Sequence, residues 1–206
     1  MILLFFDTET TDIKPERGSI CQISYITVDT SFKPAKTEGK NFFFTVEDMS
    51  PGAEEVHGFS LEKLYELSEG LYFEDLCHQF INDFKNADVI IGHNVAFDIK
   101  FLTHELDSLG ESFYPKKSFC TMNYYKPICR FLNSRRDIKN PKLQEVIAFL
   151  NIKEETIALK SNELFKGSGN YHDARFDTTA TYLTVIEGIK KGFIPPHYFT
   201  QNDEIA

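Results

Sequence analysis

Four acidic residues and one histidine lie in three short segments of this chain and could together support metal-assisted chemistry. Asp7 and Glu9 are two positions apart, Asp98 lies near the middle, and His172 comes five positions before Asp177. Hard divalent cations prefer carboxylate oxygens, and Mg²⁺ is usually held by a few carboxylates together with water and substrate phosphate. A pair of such ions stabilises both the attacking and the leaving oxygen of a displacement at phosphorus. The constellation therefore predicts a two-metal phosphodiesterase.

The first three acids are predicted to lie where a strand ends and where a helix begins. The apolar run 2–6 indicates a buried strand that ends at Asp7. Residues i and i+2 of an extended chain share one face, so Asp7 and Glu9 can reach the same ion. Asp98 falls in the first turn of a helix predicted over 95–109, close to the end of a short strand.

His172 and Asp177 immediately precede a helix predicted over 178–189. The segment 165–170 before them is polar and glycine-rich, which is typical of a loop. We expect this loop to be mobile and to close as substrate arrives, carrying His172 with it.

The remaining pattern predicts an α/β fold with a mixed sheet. Three strands joined by short turns come first, and later strands alternate with helices, which favours antiparallel pairing at one side and parallel pairing at the other. Strands are expected over 2–6, 20–28, 41–46 and 88–92 and near 119–121, and helices from Ser50 and Ser60, through 76–84, and over 95–109, 142–150 and 178–189.

Length and charge fit a single domain over residues 1–206 that does not coat long polyanions. The 22 basic and 31 acidic residues leave a net charge of −9, which argues against binding driven by general electrostatic attraction. The four cysteines are widely spaced and show no zinc-binding pattern, so we expect reduced thiols in a cytoplasmic protein. The apolar start lacks a basic leader and a cleavage site, and we expect neither a signal peptide nor a membrane partner.

Taken together, the three motifs resemble those of the DEDDh family of 3′-to-5′ exonucleases. The resemblance rests on D-x-E at the end of a strand, on Gly-His-Asn followed by Asp98, and on H-x4-D before the last long helix, and it covers residues 1 to about 190. Segments 55–58 and 141–144 look like the family's secondary motifs. The tyrosine subfamily has Tyr four positions before the last acid, where this chain has Asp173, so His172 places it in the histidine subfamily.

By this resemblance, the fold would be ribonuclease H-like, with a mixed sheet of about five strands, and the reaction would release nucleoside 5′-monophosphates from a 3′ end. Asp7, Glu9 and Asp177 would hold the metal that carries the attacking water, and Asp7 would bridge to a second Mg²⁺ or Mn²⁺. Asp98 would support the pair directly or through water. His172 would be the general base, since imidazole titrates near neutrality.

The resemblance also implies a set of residues that contact the terminal nucleotide. These are Thr8, Thr10, His57, Asn94 and Phe97. Each has a plainer interpretation, and for Phe97 and His57 it is an ordinary core aromatic and a structural histidine. One departure from the family is Asp12, which stands where a glycine usually follows the first motif, so the next turn is expected to differ.

Several alternatives stay open from the sequence. The basic stretch from Lys126 to Lys142 either guides the phosphates of a nucleic-acid strand or is an ordinary solvated surface. The leading substrate is the 3′ end of single-stranded or frayed DNA in proofreading or repair, and an enzyme that trims RNA ends is the nearest rival. A non-catalytic module that binds nucleic acid or a polymerase is the rival from another class. Association with a DNA polymerase is left open.

Overall fold

The computed structural model describes residues 1–167 and 171–199, and a five-stranded mixed sheet lies at its centre. The strands are β1 (Ile2–Thr10), β2 (Ile20–Asp29), β3 (Lys36–Phe43), β4 (Val89–Gly92) and β5 (Ser118–Cys120). Their order is β3-β2-β1-β4-β5, with β1 to β3 antiparallel and β4 and β5 parallel to β1. The predicted mixed sheet of about five strands is confirmed.

Helices cover both faces of this sheet. They are α1 (Pro51–His57), α2 (Leu61–Leu67), α3 (Phe73–Leu76), α4 (Ile81–Asn86), α5 (Val95–Ser108), α6 (Thr121–Cys129), α7 (Leu143–Phe149), α8 (Glu154–Phe165) and α9 (Ala174–Lys190). No helix within the two described ranges is both long and apolar enough to cross a membrane.

Alternating side chains of β1 enter two separate cores. Leu4 and Phe6 pack with phenylalanines of α3 to α5, and Leu3 and Phe5 pack on the other face with residues of α6, α7 and α9. Because β1 is buried on both faces, its end can present polar groups to either layer. Asp7 and Glu9 continue the Leu3 and Phe5 face, towards α9, whereas Thr8 continues the opposite face, towards α5.

The third strand begins and ends earlier than the sequence predicted. The prediction placed it over 41–46 with residues 33–40 as a connection, but β3 spans Lys36–Phe43. The strand was not predicted over these residues because its sequence is mostly polar. Polar, half-exposed side chains are tolerated there because the strand lies at the edge of the sheet. Gly39 allows α8 to cross closely, since a Cβ there would come within 2.9 Å of Leu164 O.

Two helical predictions need correction, and two helices were not predicted at all. The unpredicted helices are α6, which contains Pro127, and α8, whose sequence is largely polar. The last helix begins at Ala174 and not at 178, so Asp177 lies within its first turn. The segment predicted as one helix over 76–84 is broken into the end of α3, a 3₁₀ turn and the start of α4.

Two further expectations bear on the chain's chemistry. All four cysteine thiols are free, as the spacing predicted. Of the predicted glycine-rich loop over 165–170, the first residue ends α8, and residues 168–170 lie outside the described part of the chain.

Candidate active site

The strand register places the first two acids beside polar partners on β2. Asp7 lies opposite Ser24, and Glu9 lies opposite Gln22. Directly opposed residues of an antiparallel pair project to the same face. Gln22 and Ser24 are fully buried, so a polar strip crosses the α9 side of the sheet, next to the apolar side chains of Ile26 and Val28.

The N-terminal end of α9 is fixed to this strip by its capping residue. The Asp173 carboxylate accepts hydrogen bonds from Arg175 N at 3.0 Å and from Gln22 Nε2 at 3.1 Å. Arg175 also forms a two-point ion pair with Asp173, at 2.9 and 2.6 Å. Thr178 Oγ1 donates to Ser24 O at 3.0 Å. These bonds orient the first turn of α9 so that Asp177 faces the end of β1.

Asp7, Glu9 and Asp177 form one carboxylate cluster. A single oxygen from each lies within 4.8 Å of the others. Burial raises the pKa of Asp7 and Glu9 well above the ordinary range; the largest further causes are repulsion from Asp98 for Asp7 and from Asp177 for Glu9. Burial also raises the pKa of Asp177 to about 7, although His172 N donates to its Oδ2 at 3.1 Å.

The cluster fits a divalent cation. Within residues 1–167 and 171–199, no lysine or arginine side chain forms an ion pair with any of its carboxylates. Asp177 Oδ1 is buried and has no hydrogen-bond partner among the described residues. A buried carboxylate without a partner is costly, and an oxygen-only ligand set suits Mg²⁺ or Mn²⁺.

Asp98 approaches the cluster from the opposite layer. Its Oδ1 accepts hydrogen bonds from Thr8 Oγ1 at 2.8 Å and from Thr8 N at 3.1 Å. Burial raises the pKa of Asp98 to about 7, against the effect of these hydrogen bonds. The fourth predicted acid is therefore brought to the site, but as a neighbour of the three clustered carboxylates. The hydroxyl and the backbone N–H of Thr8 both hold Asp98 in place.

A cavity of about 510 Å³ opens on the Glu9 side of the cluster. Four of the five residues predicted to contact the terminal nucleotide line it, namely Thr8, Thr10, His57 and Phe97, and the largely exposed side chains of Ile13 and Val56 widen its apolar wall. The fifth, Asn94, does not line it, because it stands exposed in a left-handed conformation at the start of α5.

His57 turns one ring nitrogen to the backbone and leaves the other without a partner. Its Nδ1 accepts from Phe59 N at 3.1 Å, so the proton of the neutral ring is on Nε2. Nε2 is buried and forms no hydrogen bond with any described residue. Burial lowers the pKa of His57, the Thr10 backbone opposes this, and nearby His172 adds to it. The neutral ring lines the cavity, but its buried Nε2–H is not exposed there.

A second cavity, of about 500 Å³, opens on the Asp7 side and contains His172. It is lined by Asp7, His93, Lys142, Leu143, Gln144, His172 and Asp177. The His172 side chain is exposed, and its backbone is left-handed with φ 67°. The imidazole therefore faces solvent beside two of the clustered acids.

His93 ties the floor of this second cavity to α7. Its Nε2 lies 3.0 Å from Pro141 O and its Nδ1 lies 3.0 Å from Thr121 Oγ1. Burial lowers the pKa of His93 to about 4, so the ring stays neutral and donates through Nε2 to the carbonyl. The bond fixes the start of α7, which brings Lys142 and Gln144 to the cavity.

Sequence reasoning missed two kinds of residue. Asp173, Arg175 and Gln22 hold α9 in place, and the signal for Gln22 was a polar residue in an apolar strand. Asp12, where the family usually has glycine, caps its own turn: its Oδ1 accepts from Lys14 N and from an Arg17 nitrogen, each at 3.0 Å.

Comparison with known protein families and with curated proteins shows what the chain is similar to. The model of the RNase_T family, described as "Exonuclease", matches residues 4–184. The chain belongs to this exonuclease family. Curated relatives of this exonuclease domain include the "DNA polymerase III subunit epsilon" of Rickettsia prowazekii, 34% identical over 110 residues, which cover 52% of the chain and 44% of the relative. The protein of the same name from Buchnera aphidicola is 28% identical over 128 residues, which cover 58% of the chain and 50% of the relative.

Solved structures show the same α/β fold. Escherichia coli Exonuclease I, solved with a 5cy-dT13 oligonucleotide, superposes with a TM-score of 0.72 over 97% of the chain and 42% of that protein, at 16% identity. Exonuclease I from Methylocaldum szegediense gives a TM-score of 0.69 over 97% of the chain and 42% of that protein, at 15% identity. The matched region is half or less of the length of each of these four relatives.

Proposed function

We propose that this chain is a metal-dependent 3′-to-5′ exonuclease domain that releases nucleoside 5′-monophosphates from the 3′ end of DNA. One observation carries the proposal: the end of β1 and the first turn of α9 bring three carboxylates within 4.8 Å, and a fourth lies behind them. Carboxylates held this close together repel one another, and their neighbours raise the pKa of Asp7 and Glu9. Because this repulsion is costly, the cluster indicates a functional site.

Asp7, Glu9 and Asp177 would hold the cation, and Asp98 would support the pair of ions. Bound Mg²⁺ or Mn²⁺ supplies positive charge that stabilises the attacking and leaving oxygens at phosphorus. Thr8 holds one oxygen of the Asp98 carboxylate through two hydrogen bonds. The direction of the second oxygen is then set by the packing of α5 against β1.

His172 would accept a proton from the attacking water. Its ring is exposed beside Asp7 and Asp177 in the second cavity and can reach the bulk solvent to release that proton. An imidazole titrates near neutral pH, which matches the requirement for a general base.

The first cavity would take the terminal nucleoside. Phe97 is only partly buried and packs on Phe101 with its ring centroid 4.9 Å away, which leaves one face for a base. Stacking accepts every base, as an exonuclease requires. His57, Thr10 and Glu9 line the same cavity.

The names of the relatives support a proposal for the substrate and setting. We propose single-stranded or frayed DNA ends as the substrate, a DNA polymerase as a partner, and the cytoplasm as the compartment, which the four free thiols fit. The names of the curated relatives and the oligonucleotide bound to Exonuclease I support these assignments.

A product assay tests the proposal. A 5′-labelled oligonucleotide incubated with Mg²⁺ or Mn²⁺ should give a ladder shortened from the 3′ end and free 5′-mononucleotides, and chelator should stop it. Matched DNA and RNA strands, single and paired, decide the substrate class. Faster shortening of RNA would replace DNA as the substrate, and binding without mononucleotide release at any metal concentration would favour a non-catalytic module.

A further inference from the structure

We propose that residues 131–139, here called the basic hairpin, bind the nucleic-acid strand on the 5′ side of the bond that is cut. The inference rests on the proposed function and names the surface that receives the rest of the strand. The basic hairpin connects α6 to the segment that leads into α7.

The basic hairpin has a defined shape. Leu132 and Ile138 form an antiparallel bridge, and Lys139 N donates to Phe131 O at 2.9 Å. Asn133 closes the turn, since its Oδ1 accepts from the backbone nitrogens of residues 135 and 137, each at 2.9 Å. A side chain that satisfies two turn amides fixes the loop locally.

The tip of the hairpin displays two arginines. Arg135 and Arg136 are exposed, and Arg136 adopts a left-handed conformation with φ 66°. Neither guanidinium forms an ion pair with another described residue, whereas Lys139 is held by Glu145 at 2.5 Å. In a chain with a net charge of −9, the two arginines place unpaired positive charge at this tip, and Asp137 is the one acid within the hairpin. Guanidinium groups of this kind suit phosphate oxygens.

The same hairpin exposes an apolar pair. Leu132 is 56% exposed and Ile138 is 38% exposed. Because bridge partners project to the same side, the two side chains form one small apolar surface below the arginines. Single-strand binding surfaces combine positive charge for the backbone with apolar or aromatic side chains for the bases. The basic hairpin presents both.

The hairpin leads directly into the catalytic cavity. Lys142, only six positions after Arg136, lines that cavity with Asp7 and His172. Six residues of extended chain span at most about 21 Å, so the Arg136 backbone lies no farther than that from Lys142. The bond between His93 and Pro141 O fixes this connection to the sheet. A strand whose 3′ end occupies the site would continue along this side.

The double variant Arg135→Ala/Arg136→Ala tests the arginines. Lys36→Ala/Lys190→Ala is the matched control, since it removes the same charge from the start of β3 and the end of α9, at the far end of the sheet. For single strands of about 16 nucleotides, the arginine variant should raise KM several-fold, with a smaller effect for about 4 nucleotides. The slope of log(kcat/KM) against log[salt] should become shallower by about 1.4, at about 0.7 for each lost phosphate contact. The control should keep the wild-type slope.

The variant Leu132→Ser tests the apolar pair separately. It should weaken binding of the longer strand without changing the salt slope, because no charge is removed. Binding is followed by fluorescence anisotropy with an oligonucleotide whose 3′-terminal linkages are phosphorothioates, so that it is measured without cleavage. A salt slope and affinity in Arg135→Ala/Arg136→Ala equal to those of the wild type would overturn the inference. A wild-type protein that binds through the hairpin but releases no nucleotide would contradict the proposed function alone.

Discussion

Gln22 Nε2 donates a hydrogen bond to Asp173 Oδ1 at 3.1 Å and so joins the buried face of β2 to the N-terminal end of α9. The other atom of the same amide, Oε1, accepts from Ala174 N at 3.1 Å. The Gln22 side chain therefore binds two consecutive residues, Asp173 and Ala174, which lie between His172 and Asp177. Sites of this kind depend on neighbouring residues that keep each functional group within about 0.5 Å of its working position.

Replacing this amide should damage both stability and activity. Gln22→Leu keeps the volume but leaves Ala174 N and Asp173 without their partner in a buried place, which should lower the free energy of unfolding by about 1–3 kcal/mol. Because Asp177 is then held less firmly, kcat should fall. Thr27→Val, a half-buried position on the same strand, is the control and should leave both unchanged. Thermal melts and product release measure the effects, and a wild-type kcat in Gln22→Leu would refute the positioning role.

The contact between Thr8 and Asp98 gives a second prediction. Thr8→Val preserves the β-branched shape but removes the hydroxyl that donates to Asp98 at 2.8 Å. The folded protein should lose about 1 kcal/mol of stability, and the metal concentration needed for half-maximal activity should rise. Thr8→Ser should restore both. If Thr8→Val and wild type share the same metal dependence, Thr8 does not act through Asp98.

The carboxylates predict a linkage between pH, metal and stability. Asp98 and Asp177 have folded pKa values of about 7, above their ordinary value of 3.8. The folded protein then binds more protons than the unfolded chain between these values, so metal-free stability contributed by these groups is lost as pH rises through that interval. Mn²⁺ should raise Tm more at about pH 8 than at about pH 5, since bound cation compensates the ionised carboxylates.

Two variants isolate this effect. Asp98→Asn removes one of the repelling charges and should flatten the dependence of metal-free Tm on pH. Asp107→Asn, an exposed position on the same helix, should leave it as in the wild type. A Tm indifferent to Mn²⁺ at both pH values would show that the acids do not hold a cation.

His172 gives the sharpest kinetic prediction. His172→Ala should lower kcat by about 10²–10⁴, with little change in Tm because the side chain is exposed. His104→Ala, an exposed histidine on α5, is the matched control and should keep the wild-type kcat. A wild-type kcat in His172→Ala would assign the base to another group.

The candidate acids could be predicted from sequence because each lies in a short local motif. Asp7 and Glu9 alternate along β1, directly after its apolar residues, and so face the same layer. The grouping of Asp177 with these two acids was implied by the family resemblance and not by the local spacing. Asp98 stands apart from the cluster because it belongs to the layer of α5, and this follows only from the packing of two helices against opposite faces of β1.

The edge strand β3 and the residues that support the candidate site were harder to predict, for physical reasons. β3 is a half-exposed edge strand, so its polar residues gave no alternating apolar signal, and Gly39 is explained only by the approach of α8. The buried Gln22 amide acquires its function from Asp173, which lies 151 positions away in the chain. Contacts of this range are set by the fold and leave no spacing to detect.

Anomalous X-ray scattering from crystals soaked in Mn²⁺ is the decisive test of whether the carboxylate cluster binds a cation. We predict a Mn²⁺ peak bounded by the carboxylates of Asp7, Glu9 and Asp177, and loss of this peak in Asp177→Asn crystals that keep the same fold. Crystals in which Mn²⁺ binds only elsewhere, or in which the peak persists unchanged in Asp177→Asn, would contradict it.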